Sequence, residues 1–105
     1  MSEHAVIVRV AIGEEHFGSA GARDVVRALE GEIRAIVDGS GLGDFDGDEF
    51  GGGQAVLYLY GPDADKLYAA VEPALRAVSL RPVQVTLRYG DAGDPAAVER
   101  TIEIE

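Results

Sequence analysis

The sequence predicts a single α+β domain over residues 1–105, with two helices on one face of an antiparallel sheet. Three observations carry that expectation. Apolar residues alternate with period two in some segments and step by three and four in others. These segments follow one another in the order β-α-β-β-α-β, with one more β at the end. Turn residues separate each from the next.

The first strand is read in residues 5–12, where Val6, Val8, Val10 and Ile12 alternate with Ala5, Ile7, Arg9 and Ala11. β-Branched residues dominate it, which fits a pleated and largely buried surface. The loop GEEHFGS follows. Ser19 or Gly21 then opens a helix whose apolar stripe is Ala22, Val25, Val26, Leu29, Ile33, Ile36 and Val37. Glu30 and Arg34 are expected on its outer side at i,i+4, and Gly39 is expected to end it. Gly31 is a weak spot in this helix unless something packs close to it.

Seven of the fourteen glycines lie between Gly39 and Gly53. A domain this small cannot spare such a stretch as a linker, so it is expected to be a short strand and a hairpin tip. Residues 55–60, AVLYLY, then read as a central strand. Gly61-Pro62-Asp63 is a helix start, with Pro preset for the first turn and Asp suited to the N-terminal dipole. Ala64, Leu67, Val71, Leu75 and Val78 form the second buried stripe, and Pro73 inside it is expected to cause a kink. Val83, Val85, Leu87 and Tyr89 alternate with Gln84, Thr86 and Arg88. After the turn GDAGDP, Val98, Arg100, Ile102 and Ile104 alternate with four solvent-side residues. A split βαβ unit with right-handed crossovers makes this a ferredoxin-like βαββαβ sheet. The additional C-terminal strand is expected at the edge, beside its hairpin neighbour.

Composition limits the function classes. There is no cysteine, which excludes disulfides and thiolate chemistry and points to a reducing, cytoplasmic setting. No apolar run reaches the roughly 20 residues of a membrane span, so no membrane partner is expected. Nine basic and nineteen acidic side chains give a net charge of −10. Nucleic acid is not expected as a partner, because phosphate backbones are bound through Lys and Arg. No basic residue lies between Arg34 and Lys66, whereas Asp38, Asp44, Asp46, Asp48, Glu49, Asp63 and Asp65 do. Such a surface aids solubility, and it also suits a cation or a basic partner.

The run DFDGDEFGGGQAVLYLYGPDADKLYAAVEPALR, from Asp44 to Arg76, resembles a pattern in small uncharacterised bacterial proteins. Its marks are an Asp-Gly-x-Glu turn, a glycine triplet and a Tyr-Gly-Pro-Asp helix start. The resemblance implies a ferredoxin-like domain and brings no activity, cofactor or catalytic residue with it.

Catalytic chemistry finds little to work with. None of the serines lies in a nucleophile-elbow motif, His4 sits near the N-terminus, and only His16 sits where a general base could, so no catalytic residue is assigned. The first and second strands are expected to run the same way. The loop holding Glu14, Glu15 and His16 should therefore lie at the same end as Asp46, Asp48 and Glu49, a donor set for a divalent cation. Asp44, Asp46 and Asp48 also copy the first alternating ligands of a calcium loop. The match fails where Glu49 replaces the obligatory glycine and Ala55 the closing glutamate. Otherwise no cofactor is expected. The triplet Gly51-Gly52-Gly53 lacks the Lys and Ser/Thr of a phosphate-binding loop, so a tight turn or a bulge explains it better.

The remaining candidate is the sheet face away from the helices. Alternation puts Arg9, Tyr58, Tyr60, Gln84 and Arg88 on it, and Tyr and Arg are the residue types that dominate interface hot spots. The sequence therefore points to a non-enzymatic interaction module. A homodimer formed through this face comes first, and the alternatives are an acidic inhibitor of a basic protein partner and a metal-dependent activity at the His16, Asp46 and Asp48 end.

Overall fold

The computed structural model describes residues 3–13 and 20–104. Its elements are β1 (His4–Ala11), α1 (Ala20–Ser40), β2 (Asp44–Gly51), β3 (Gln54–Gly61), α2 (Ala64–Ala77), β4 (Val83–Tyr89) and β5 (Val98–Ile104). The five strands form one antiparallel sheet in the order β2-β3-β1-β4-β5. Among the described residues the chain is thus an α+β domain of two helices and a five-stranded antiparallel sheet. The C-terminal strand lies at the edge beside β4, as the hairpin reading required.

The core is built by alternation on the strands. Val6, Val8 and Val10 of β1 stand opposite Leu59, Leu57 and Ala55 of β3, and opposite Leu87, Val85 and Val83 of β4. All are buried, in one cluster with Val26, Leu29, Ile33 and Val37 of α1 and Leu67, Val71 and Leu75 of α2. Burying each of the Val, Leu and Ile side chains contributes about 1.5–3 kcal/mol relative to exposure. The helices also pack on each other, and α1 reaches over to β2 while α2 lies against β4 and β1. Among the described residues no helix is long and apolar enough to cross a membrane.

The structure shifts several local expectations. The first helix runs through Gly39 to Ser40. Gly41, with φ +69, is the left-handed residue that ends it. Ser40 reinforces the stop, its hydroxyl donating to the Val37 carbonyl and accepting from the Leu42 amide. Pro62 lies before α2 and not within its first turn. Asp63 is the N-cap, extended in backbone and accepting from the Lys66 amide at 3.1 Å. Pro73 sits inside α2 on an exposed position, and the helix continues past it to Ala77. Gly52 and Gly53, with φ +60 and +80, form the tight β2–β3 turn. The bulge falls earlier, between Phe45 and Gly47.

Two charged or polar residues lie differently from their expected positions. Glu30 is buried, at 7% exposure, and not on the outer side of α1. The stripe of α1 is wide because the helix covers both the core and the inner side of β2. His4 lies in a strand, with its Nδ1 accepting from the Ala64 amide at 3.1 Å and its ring edge-on to Tyr89 at 5.8 Å. It therefore serves one of the orphan donors at the start of α2.

Candidate interaction surface

The same register that fills the core fixes the opposite side of the sheet. Ile7 stands between Tyr58 and Thr86, Arg9 between Val56 and Gln84, and Ala5 between Tyr60 and Arg88. Arg9, Tyr58, Tyr60, Gln84 and Arg88 thus come together on one face, and the core cluster holds none of them. The two helices pack on the other face. Arg9 reaches across to β4 and donates to the Thr86 hydroxyl at 3.2 Å, while Arg88 donates to the Gly90 carbonyl at 2.7 Å. Gln84 donates to the Glu103 carboxylate at 3.3 Å.

Acids flank this aromatic and arginine centre on both sides. On β2, Asp44 is paired with Tyr60 and Glu49 with Val56, and Asp46 bulges beside Gly47, which is paired with Tyr58. On β5, Glu99 is paired with Arg88 and Glu103 with Gln84. Among the described residues none of these five acids makes a salt bridge. Tyr58 registers one of them, Glu49. Burial first, then the charge of Glu49, pushes its phenol above the ordinary value, against the opposing guanidinium of Arg9.

Two shallow hollows line the β2 side. One, of about 430 Å³, is bordered by Asp46, Gly47, Asp48, Glu49, Tyr58 and Tyr60. The other, of about 490 Å³, is bordered by Glu3, Asp44, Asp46, Tyr60, Arg88 and Asp91. They share Asp46 and Tyr60, so a trough of carboxylates and phenol rings runs along the face. Gly47 leaves it open, because no side chain fills the place opposite Tyr58.

The cation reading fares differently. Glu14, Glu15 and His16 lie outside the described residues. The end of β1 does meet the β2–β3 turn, where the Ile12 amide donates to the Gly53 carbonyl at 2.9 Å. The acids, however, lie along β2 and not in that turn. Asp46, Asp48 and Glu49 all border the hollow beside Tyr58, while the register pairs Asp48 with core-facing Leu57 and its charge acts on Glu30. Among the described residues no three His, Asp or Glu side chains gather as a metal site would require. No family model, curated protein or solved structure matches the chain.

Proposed function

We propose that this chain is a non-enzymatic interaction module that binds a cationic protein surface through the open face of its sheet. The observation that carries the reading is the register. It puts Tyr58, Tyr60 and Ile7 at the centre and, on both flanks, acids that make no salt bridge among the described residues. Aromatic residues supply contact area at low entropic cost, and complementary charge speeds encounter and fixes orientation. An acidic inhibitor that covers a basic active site is one form of this function. The strand order β2-β3-β1-β4, with a helix after β1 and another after β3, supports a ferredoxin-like assignment with β5 added.

A second copy of the chain is the other reading, and one overlay favours it. A two-fold axis along the strands lays Arg88 of one copy over Tyr60 of the other, a cation–π pairing. The same axis lays β2 over β5, and an axis across the strands lays β2 over β2. Acids meet acids at the rim in both cases. Salt separates the two readings, because it screens both attraction and repulsion. A basic partner must bind more weakly as salt rises, and a homodimer must bind more tightly. Sedimentation velocity of the chain alone, and with a basic peptide such as deca-arginine, at low and high salt tests this. Peptide binding that weakens with salt, on a chain that stays monomeric, is the expected result. A dimer strengthened by salt, without peptide binding, would replace the first reading by the second.

A further inference from the structure

Glu30 is the one buried charged side chain among the described residues, and it faces away from the surface just proposed. It lies on the side of α1 that covers β2, where Asp48 stands opposite, paired with Leu57 on the helix side of the strand. Its Oε2 is buried without a hydrogen-bond partner. The groups flanking the pair are already engaged. Arg27 lies over the Phe50 ring at 5.8 Å, and Arg34 over the Phe45 ring at 4.7 Å. The buried Glu30 carboxyl therefore meets the exposed Asp48 carboxyl at the α1–β2 contact, with both neighbouring guanidinium groups drawn onto aromatic rings.

A carboxylate buried at Glu30 beside the exposed, like-charged Asp48 is costly. We propose that one proton shared by Glu30 and Asp48 acts as a latch between α1 and the edge strand β2, and that its loss frees β2 from the helix. With the proton present, one carboxyl donates to the other and the contact is satisfied. Without it, both carboxylates repel, and the strand at the edge of the sheet is the element able to move. β2 is held on one side only, by β3. The charged groups acting on Glu30 are Asp48 from β2 and, from its own helix, Arg27 and Arg34. The arginines favour ionisation but are outweighed. Burial first, then Asp48, pushes Glu30 up to about 7. The latch thus closes in mildly acidic solution and opens in mildly alkaline solution. Because β2 carries Asp44, Asp46 and Glu49, opening would also move one flank of the open face.

The test follows individual amides of the full-length chain by NMR hydrogen exchange at pH 5.5 and pH 8.5, corrected for base catalysis. Glu30→Gln, which keeps the shape and cannot ionise, is run beside it. The expected result is an opening constant for β2 that rises roughly tenfold or more with pH in the wild type. In Glu30→Gln the rise should be less than about twofold, with β1 amides unaffected in both. Direct titration of the Glu30 carboxyl carbon, in the wild type and in Asp48→Asn, gives a second readout should the glutamine variant fold poorly. A midpoint that falls in Asp48→Asn supports the shared proton. The latch is overturned if Glu30 titrates like an ordinary glutamate, if Asp48→Asn leaves its midpoint unchanged, or if Glu30→Gln keeps the wild-type pH dependence.

Discussion

Tyr58 and Ile7 stand directly opposite each other on β3 and β1, on the side of the sheet that the helices leave uncovered. That pairing is the centre of the proposed contact surface. Replacing Tyr58 and Tyr60 by Ser removes most of the aromatic area from it. Neither side chain belongs to the core cluster. The double variant is therefore expected to keep its circular dichroism spectrum and a cooperative melt. Its affinity for a basic peptide should fall by about 2 kcal/mol or more, in line with hot-spot tyrosines. Isothermal titration beside the wild type measures both properties.

The acids on β2 should act differently from the tyrosines. Asp46→Asn combined with Glu49→Gln removes charge at the rim and little contact area. Its main effect is expected on the association rate and on the salt dependence, with only a modest loss of affinity at high salt. Stopped-flow association rates at two ionic strengths check this. A rate unchanged at low salt would mean that the β2 flank takes no part in recognition.

Gly31 separates helix propensity from packing. It lies in the interior of α1, exposed, and a Cβ built on it meets nothing within 4 Å. Gly31→Ala is expected to stabilise the fold by about 0.5–1 kcal/mol, because alanine loses less backbone entropy on entering a helix. Gly61→Ala gives the opposite sign. Its Cβ would fall on the Leu42 carbonyl oxygen where the chain leaves α1. Urea unfolding of the two variants should move the midpoint in opposite directions.

The cap of α2 offers an independent check. Asp63→Ala removes the acceptor for the Lys66 amide, and a loss of about 1 kcal/mol is expected. Asp63→Asn should restore most of it, because the side-chain oxygen is what the amide needs. Chemical denaturation at neutral pH measures the difference.

The pH dependence of global stability carries a definite sign. Glu30 rises from an ordinary 4.5 to about 7 in the folded chain. Between those values the folded state holds a proton that the unfolded chain has lost. The stability this gives is complete below the lower value and is lost as pH rises through the upper one. Relative to Glu30→Gln, the wild type should lose up to about 3 kcal/mol between pH 4.5 and pH 8. Urea midpoints across that range measure the difference.

The open face was legible in the sequence because strand alternation has a period of two. Once Val83, Val85 and Leu87 were turned inward, Gln84, Thr86 and Arg88 had to face outward, and Arg9, Tyr58 and Tyr60 followed by pairing. The flanking acids were legible only as composition. Which of them face outward depends on the bulge between Phe45 and Gly47, and no alternation rule locates a bulge in DFDGDEF. That bulge puts Asp48 in register with Phe45 and Phe50, opposite core-facing residues of β3 and out of step with Asp46. Glu30 was misread for a related reason. A helix stripe read against a generic core does not show that α1 also covers an edge strand, and an isolated Glu at i+1 from Leu29 then looks solvent-facing. The spacing of Arg27, Glu30 and Arg34 against Phe50, Asp48 and Phe45 was a usable signal, since it matches charge to ring on both sides of one carboxyl pair.

The most direct test of the central claim is NMR shift mapping of the full-length chain titrated with deca-arginine at physiological salt. A chain of charge −10 attracts any polycation weakly, so where the peptide binds matters more than whether it binds. The account predicts shifts concentrated at Ile7, Arg9, Tyr58, Tyr60 and the flanking Asp46 and Glu49. They should be abolished in the Tyr58→Ser, Tyr60→Ser double variant. Shifts spread equally over Glu32, Asp38 and Asp65 on the helices, or unchanged in the double variant, would contradict it.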